Sequence, residues 1–128
     1  MQRLRPANLL RFGVVLASFA GPLGCQPAET KYDVFMKGLQ VEGEAERGAC
    51  SLVYEPGSYA AVLSGDQVQH CLTGTEEALR HYERAATMGY ADVEFTRVYE
   101  RAKERRARLE DMLHMVRKME RERASPSR

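Results

Sequence analysis

The chain has 128 residues, 44% hydrophobic and 29% charged, with 19 Lys and Arg against 18 Asp and Glu. That is room for one domain with a modest core, and so even a charge balance leaves no global electrostatic reason to bind nucleic acid. Three of the arginines, Arg3, Arg5 and Arg11, fall in the first 11 residues, so residues 25–128 carry 16 basic against 18 acidic side chains.

Residues 1–11 hold those arginines and no acid, and residues 12–23 (FGVVLASFAGPL) are uncharged and apolar. Twelve residues are too few for a bilayer core, which needs roughly 20. A basic stretch followed by a short apolar one is the order of an export signal. A buried N-terminal helix is the alternative, but it requires neither the leading arginines nor the Gly-Pro-Leu-Gly break. Residues 1–24 are therefore expected to be a signal peptide.

Leu23, Gly24 and Cys25 resemble the lipobox of bacterial lipoprotein signal peptides, over the first fifth of the chain. The resemblance implies that Cys25 is lipid-modified and becomes the new N-terminus, anchoring the protein to a membrane. Gln26 replaces the aspartate that retains such proteins at the inner membrane, which implies the outer membrane where the organism has one. Pro22 stands where that family carries leucine, and Ser18-Phe19-Ala20 offers an ordinary signal-peptidase cut as the competing reading. Two or more acyl chains make a stable anchor, with residues 25–30 as a short tether.

Lipidation would also explain an odd cysteine count, since Cys50 and Cys71 remain to pair in an oxidising compartment. A disulfide closing that loop contributes roughly 3 kcal/mol in the chain-entropy model. The alternative is two separate buried thiols. Cys50, His70, Cys71 and His81 lack the spacing of a zinc site, and His70 beside Cys71 has no third group to orient it as a base. No catalytic residue, metal ligand or cofactor is assigned.

The mature chain reads as mainly α, with residues 31–123 as the domain and 124–128 as a disordered tail. Residues 33–42 (DVFMKGLQVE) place Val34, Phe35, Gly38 and Leu39 on one helical face, with Asp33 as a cap. Residues 43–48 (GEAERG) read as a break or a frayed helix end. Residues 50–63 are ambiguous around Pro56-Gly57. They make either a β-hairpin, giving an α+β fold, or two helices, the second capped by Ser58 and running through Cys71. Ala60-Ala61 fit the helices better.

Thr73 and Glu76 have the spacing of a capping box, followed by an apolar stripe of Ala78, Leu79, Tyr82, Ala85 and Ala86. Gly89 sits where a left-handed C-cap is needed, and Asp92 can cap the next helix. Residues 75–92 resemble the second helix and loop of a tetratricopeptide repeat, with Ala78, Tyr82 and Ala85 at the family's small–aromatic–small spacing. The resemblance implies close helix packing.

Residues 92–123 contain no Gly or Pro and predict a helix about 48 Å long at 1.5 Å per residue. Phe95, Val98, Ala102, Leu109, Met112, Val116 and Met119 keep a heptad seam that Arg105 alone breaks. A preceding helix of about 21 Å could not cover this seam. Leu109, Met112, Leu113, Met115, Val116 and Met119 would then need other cover: another part of the domain, a second copy, or a protein partner. Residues 103–108 (KERRAR) are a dense basic patch, read as a solvated face or a contact for anionic lipid.

The expected function is a membrane-anchored envelope lipoprotein acting as a protein-interaction or assembly-accessory module. A small ligand-binding or thiol-dependent enzyme, or a purely structural surface lipoprotein, are the alternatives.

Overall fold

A computed structural model describes Gly24, residues 27–54 and residues 63–126. The export segment, Cys25, Ser58 with its surrounding turn, and the last two residues of the tail lie outside the described residues. The fold is mainly α, with three helices: α1 (Lys31–Arg47), α2 (Gly65–Thr87) and α3 (Val93–Ala124). Helix α2 packs on both neighbours and is antiparallel to each. Among the described residues there is no strand, and no helix is long and apolar enough to cross a membrane.

Helix α1 starts earlier than its apolar stripe implied, because Thr30 rather than Asp33 is the cap. The Thr30 hydroxyl accepts from the Asp33 backbone N–H at 3.1 Å, while the Asp33 carboxylate accepts from the Thr30 backbone N–H at 2.9 Å. That reciprocal pair is a capping box with Asp at its third position; the Thr30 hydroxyl, donating to Asp33 Oδ2 at 2.6 Å, and then the Thr30 backbone N–H hold the Asp33 carboxyl below its ordinary range. The expected break at Gly43 does not occur. The helix continues to Arg47, and Gly48 closes it by donating to the Glu44 carbonyl at 2.9 Å.

Residues 50–53 form turns and Tyr54 a bend, so this stretch is neither the helix favoured from the sequence nor a strand of the alternative hairpin, and the helix expected from Ser58 through Cys71 is not helical at Leu63 and Ser64. Cys50 donates to the Ala45 carbonyl at 2.8 Å and Tyr54 to the Cys50 carbonyl at 3.0 Å.

Helix α2 begins at Ser64, whose side chain accepts from the Gln67 N–H at 3.2 Å while the Gln67 amide oxygen accepts from the Ser64 N–H at 2.8 Å. The expected start at Thr73 lies inside this helix. There the Thr73 and Thr75 hydroxyls donate back to the Gln69 and Cys71 carbonyls, at 2.9 and 3.0 Å, a use open to threonine in mid-helix. Gly74 is tolerated because α1 comes close: a Cβ there would lie 2.8 Å from Ala45 Cβ.

The C-terminus of α2 is as expected. Gly89 has φ +85°, Gly89 N–H donates to the Ala86 carbonyl at 2.9 Å and Tyr90 N–H to the Ala85 carbonyl at 3.0 Å. This double bonding is a Schellman motif. Asp92 then caps α3 by accepting from Phe95 N–H at 2.7 Å.

Two clusters make the core. The first gathers Val34, Phe35, Ala78, Leu79, Tyr82, Ala85, Phe95, Val98 and Ala102, where Phe35 and Phe95 meet edge to face at 5.4 Å. The second gathers Cys50, Val53, Leu63, Val68, Cys71, Leu72, Leu109 and Val116, with Met112, Leu113 and Met119 packed against it. The distal seam of α3 is therefore covered within the chain. The reason is length: α2 has 23 residues, about 35 Å at 1.5 Å each, and its first turns reach the stretch that a 21 Å helix would have left bare.

Candidate functional site

Three features bear on function: a disulfide, a partly buried charge cluster, and a groove on α3. The disulfide joins Cys50, in the turn after α1, to Cys71, in the second turn of α2, with 4.6 Å between Cα atoms. Both sulfurs are buried. Neither is a thiol in this state, so His70, which is exposed beside Cys71, has no nucleophile to activate. Among the described residues no group of three His, Cys, Asp or Glu side chains is placed to hold a metal ion.

The charge cluster explains the residue that interrupts the heptad. Glu42 is buried on α1, and Arg105 reaches across from α3. Its Nη1 donates to Glu42 Oε1 at 3.0 Å and to Glu46 Oε1 at 2.8 Å. The second oxygen of Glu42 accepts from the Tyr82 hydroxyl of α2 at 2.6 Å. One carboxylate thus ties all three helices together. Burial, and then the hydrogen bond to Glu42, push the Tyr82 phenol far above its ordinary range, so it stays a proton donor. Arg105 also lies over the Tyr54 ring at 4.7 Å, a cation–π contact.

Sequence reading did not single out Glu42, which lay at the end of the expected first helix. Its signal was Arg105 itself, since a guanidinium in an apolar seam requires a buried partner. The Tyr82 ring, meanwhile, sits against Gly38, where the absence of a side chain lets α1 and α2 approach. Ala78 and Ala85 flank it, both fully buried.

Beside this cluster opens a groove of about 270 Å³ lined by Tyr54, Arg105, Arg108, Leu109 and Met112. It lies on the α3 stripe singled out in the sequence, and the structure divides that stripe. Leu109 and Val116 are core, at 2% and 1% exposure. Met112, Leu113 and Met119 are partly buried, and Met115 is exposed. Positions 108, 112, 115 and 119 follow the spacing of one helical face, on which the exposed Arg108 and Met115 stand beside the half-buried Met112 and Met119. The neighbouring basic residues are largely engaged within the chain. Lys103 bonds Glu100 at 2.6 Å and lies over the Tyr99 ring at 4.6 Å, and Arg106 is 3.9 Å from Glu110.

The groove holds two guanidinium groups, one phenol and apolar walls. Its phenol, Tyr54, is pushed above its ordinary range by burial. Such a lining can grip an acidic, partly apolar segment, and nothing in it is arranged as a nucleophile with its base. No protein-family model matches this chain, and comparison with curated proteins and with solved structures finds no match either.

Proposed function

We propose that the chain is a cell-envelope lipoprotein, anchored through Cys25, whose three-helix domain is an interaction or assembly-accessory module. The observation that carries this reading is the Cys50–Cys71 disulfide. A structural disulfide belongs to an oxidising compartment, and this one accounts for two of the three cysteines. The remaining one stands directly after a basic-then-apolar export pattern, in the lipobox-like Leu-Gly-Cys. Gln26 after it favours the outer membrane in an organism that has one.

The interaction surface is the open face of α3, from the Tyr54–Arg105–Arg108 groove through Met112 to Met115. Methionine-rich apolar faces adapt to a partner's shape, and arginine adds the charge-assisted hydrogen bonds that fix orientation. The occupant is a protein, either another envelope component or a second copy of this chain.

Intact mass of the protein purified from its native membrane tests the anchor. The expected species starts at Cys25, carries acyl chains there and has lost two hydrogens to the disulfide. A species starting at Gly21 without lipid overturns the reading. Cross-linking in the same membranes tests the module. A cross-linked complex should disappear in the Arg108→Glu, Met115→Glu double variant, both positions being exposed. If the complex survives in that variant, this face is not the interface.

A further inference from the structure

The helix ends nearest residue 25 gather at one pole of the bundle. Helix α1 starts there, α2 ends there at Gly89 and Tyr90, and α3 starts there at Asp92. The Lys31 ammonium donates to the Gly89 carbonyl at 3.3 Å, and the Tyr32 and Tyr90 rings meet edge to face at 6.4 Å. Behind them Tyr90 closes a triangle of rings with Phe35 and Phe95, tilted to the first and edge-on to the second, with both centroid separations 5.2 Å. The pole is thus an aromatic platform held by the core.

Large apolar side chains project from this platform into solvent: Tyr32 is 53% exposed, Met88 39% and Val93 76%. Single exposed apolar residues are ordinary on a monomer. Here three share one end, and it is the end from which the tether leaves. The charges around them are mixed, with Lys31, Lys37 and Arg84 against Glu29, Asp33, Asp92 and Glu94, so the pole has no bias toward a strongly anionic surface.

Tether length decides what the platform faces. Thr30 is fixed as the cap of α1, and five residue steps separate it from Cys25, at most about 18 Å when fully extended. Glu29 shortens this further by pairing with Lys37 and with Arg84. A lipid on Cys25 therefore holds the pole within reach of the head groups, whose layer adds about 5–8 Å to each side of the hydrocarbon core.

We propose that the anchored protein stands on this pole, with Tyr32, Met88 and Val93 seated in the interfacial layer of the bilayer and α3 directed away from it. The surface it meets is a lipid surface, contacted through apolar and aromatic groups, and tyrosine is suited to that depth. The proposal rests on the lipid-anchor reading of Cys25. Standing this way, α3 carries Met115 about 33 Å beyond Val93 at 1.5 Å per residue, which presents the groove face to proteins beyond the head groups.

The sequence contains no Trp, so one introduced indole reports one position. The acylated mature protein, reconstituted in phosphatidylcholine vesicles with brominated acyl chains, is compared as Tyr32→Trp, Val93→Trp and Met115→Trp variants. Fluorescence of the first two should be quenched several-fold more than that of the third, with a blue-shifted maximum. Equal quenching at all three positions, meaning a bundle lying flat, overturns the proposal, as does the absence of quenching at 32 and 93. Mass spectrometry of the same sample reports the lipid separately. If Cys25 proves unmodified, the anchor reading fails. Its thiol, the one left outside the disulfide, can then be coupled to a maleimide lipid at the same tether length, and the quenching pattern still decides whether the pole docks.

Discussion

Arg105 and Glu42 stand 63 positions apart in the chain and meet at 3.0 Å, in a contact where the Glu42 side chain is 8% exposed and the Arg105 side chain 18%. Removing Glu42 leaves Arg105 with Glu46 and partial solvent, and removing Arg105 leaves a buried carboxylate with Tyr82 and, 3.9 Å away, Arg101. Glu42→Leu also strands the Tyr82 hydroxyl, and should cost about 3 kcal/mol, the lower end for a broken buried pair because Arg105 keeps some solvent. The Glu42→Leu, Arg105→Leu double variant should recover part of that loss. Urea unfolding of the four proteins measures the coupling. Strict additivity of the two single losses would show that the pair acts as two independent charges.

Gly38 and Gly43 are one turn and a half apart on α1 and should respond oppositely to alanine. A Cβ at Gly38 would lie 2.7 Å from Tyr82 Cδ1 and closer still to Cε1, and that ring is pinned by its hydroxyl on Glu42. Gly38→Ala should destabilise by about 1–3 kcal/mol, the usual cost of overpacking. At Gly43 the new methyl would meet only the far end of Arg47, at 3.2 Å, which can swing away. Gly43→Ala should therefore stabilise by about 0.5–1 kcal/mol through helix propensity. Thermal melts read both, and a shift of the same sign for both would refute the packing argument.

Replacing both members of the disulfide, Cys50→Ser with Cys71→Ser, should lower stability by about 3 kcal/mol for a loop of this length. The two hydroxyls then lie in the distal core cluster and must find partners there, so Cys50→Ala with Cys71→Ala should lose less. Chemical denaturation of the alanine and serine pairs against the oxidised parent tests the order.

Acid should weaken the fold through the helix caps. Hydrogen bonding holds the Asp33 carboxyl below its ordinary value, first from the Thr30 hydroxyl and then from its backbone N–H. For Asp92 the Phe95 backbone N–H acts first and the Tyr90 hydroxyl second. A carboxyl that titrates lower folded than unfolded binds fewer protons in the native state. Its contribution is complete above the unfolded value and disappears as pH falls through the folded one, from about pH 5 downward. The Asp33→Asn, Asp92→Asn variant keeps acceptors at both caps and loses the titration. Its melting temperature should vary less between pH 5 and the acid limit than that of the parent (both measured at one ionic strength). Tyr90 mirrors this at the other end of the scale: its bond to Asp92, more than burial, raises the phenol to about 12.

What could be read from the sequence was what is encoded locally. Gly89 and Asp92 mark the α2–α3 turn within a few residues of each other, and both act as their types predict. The length of α3 followed from an unbroken run of helix formers, and a mainly α fold followed from such runs. Thr73 and Glu76 have the spacing of a capping box, which sets the predicted start of α2 too late. Only the approach of Ala45 from α1 shows why Gly74 is needed inside that helix. A helix started at Thr73 is too short to reach the Leu109–Val116 stretch, which for that reason looks bare in the sequence. Glu42 was invisible for a similar reason: its partners, Tyr82 and Arg105, are brought to it only by the packing of the three helices.

Because Cys50 and Cys71 are joined, residues 50–71 form a closed covalent ring that includes the connection between α1 and α2. A single peptide-bond cut anywhere inside that ring changes the gel pattern under reducing conditions and leaves one molecule under oxidising conditions. Helix α1 would remain bonded to the rest of the domain after such a nick. That connection is accordingly a place where the chain can be opened, lengthened or tagged without separating α1 from α2 and α3.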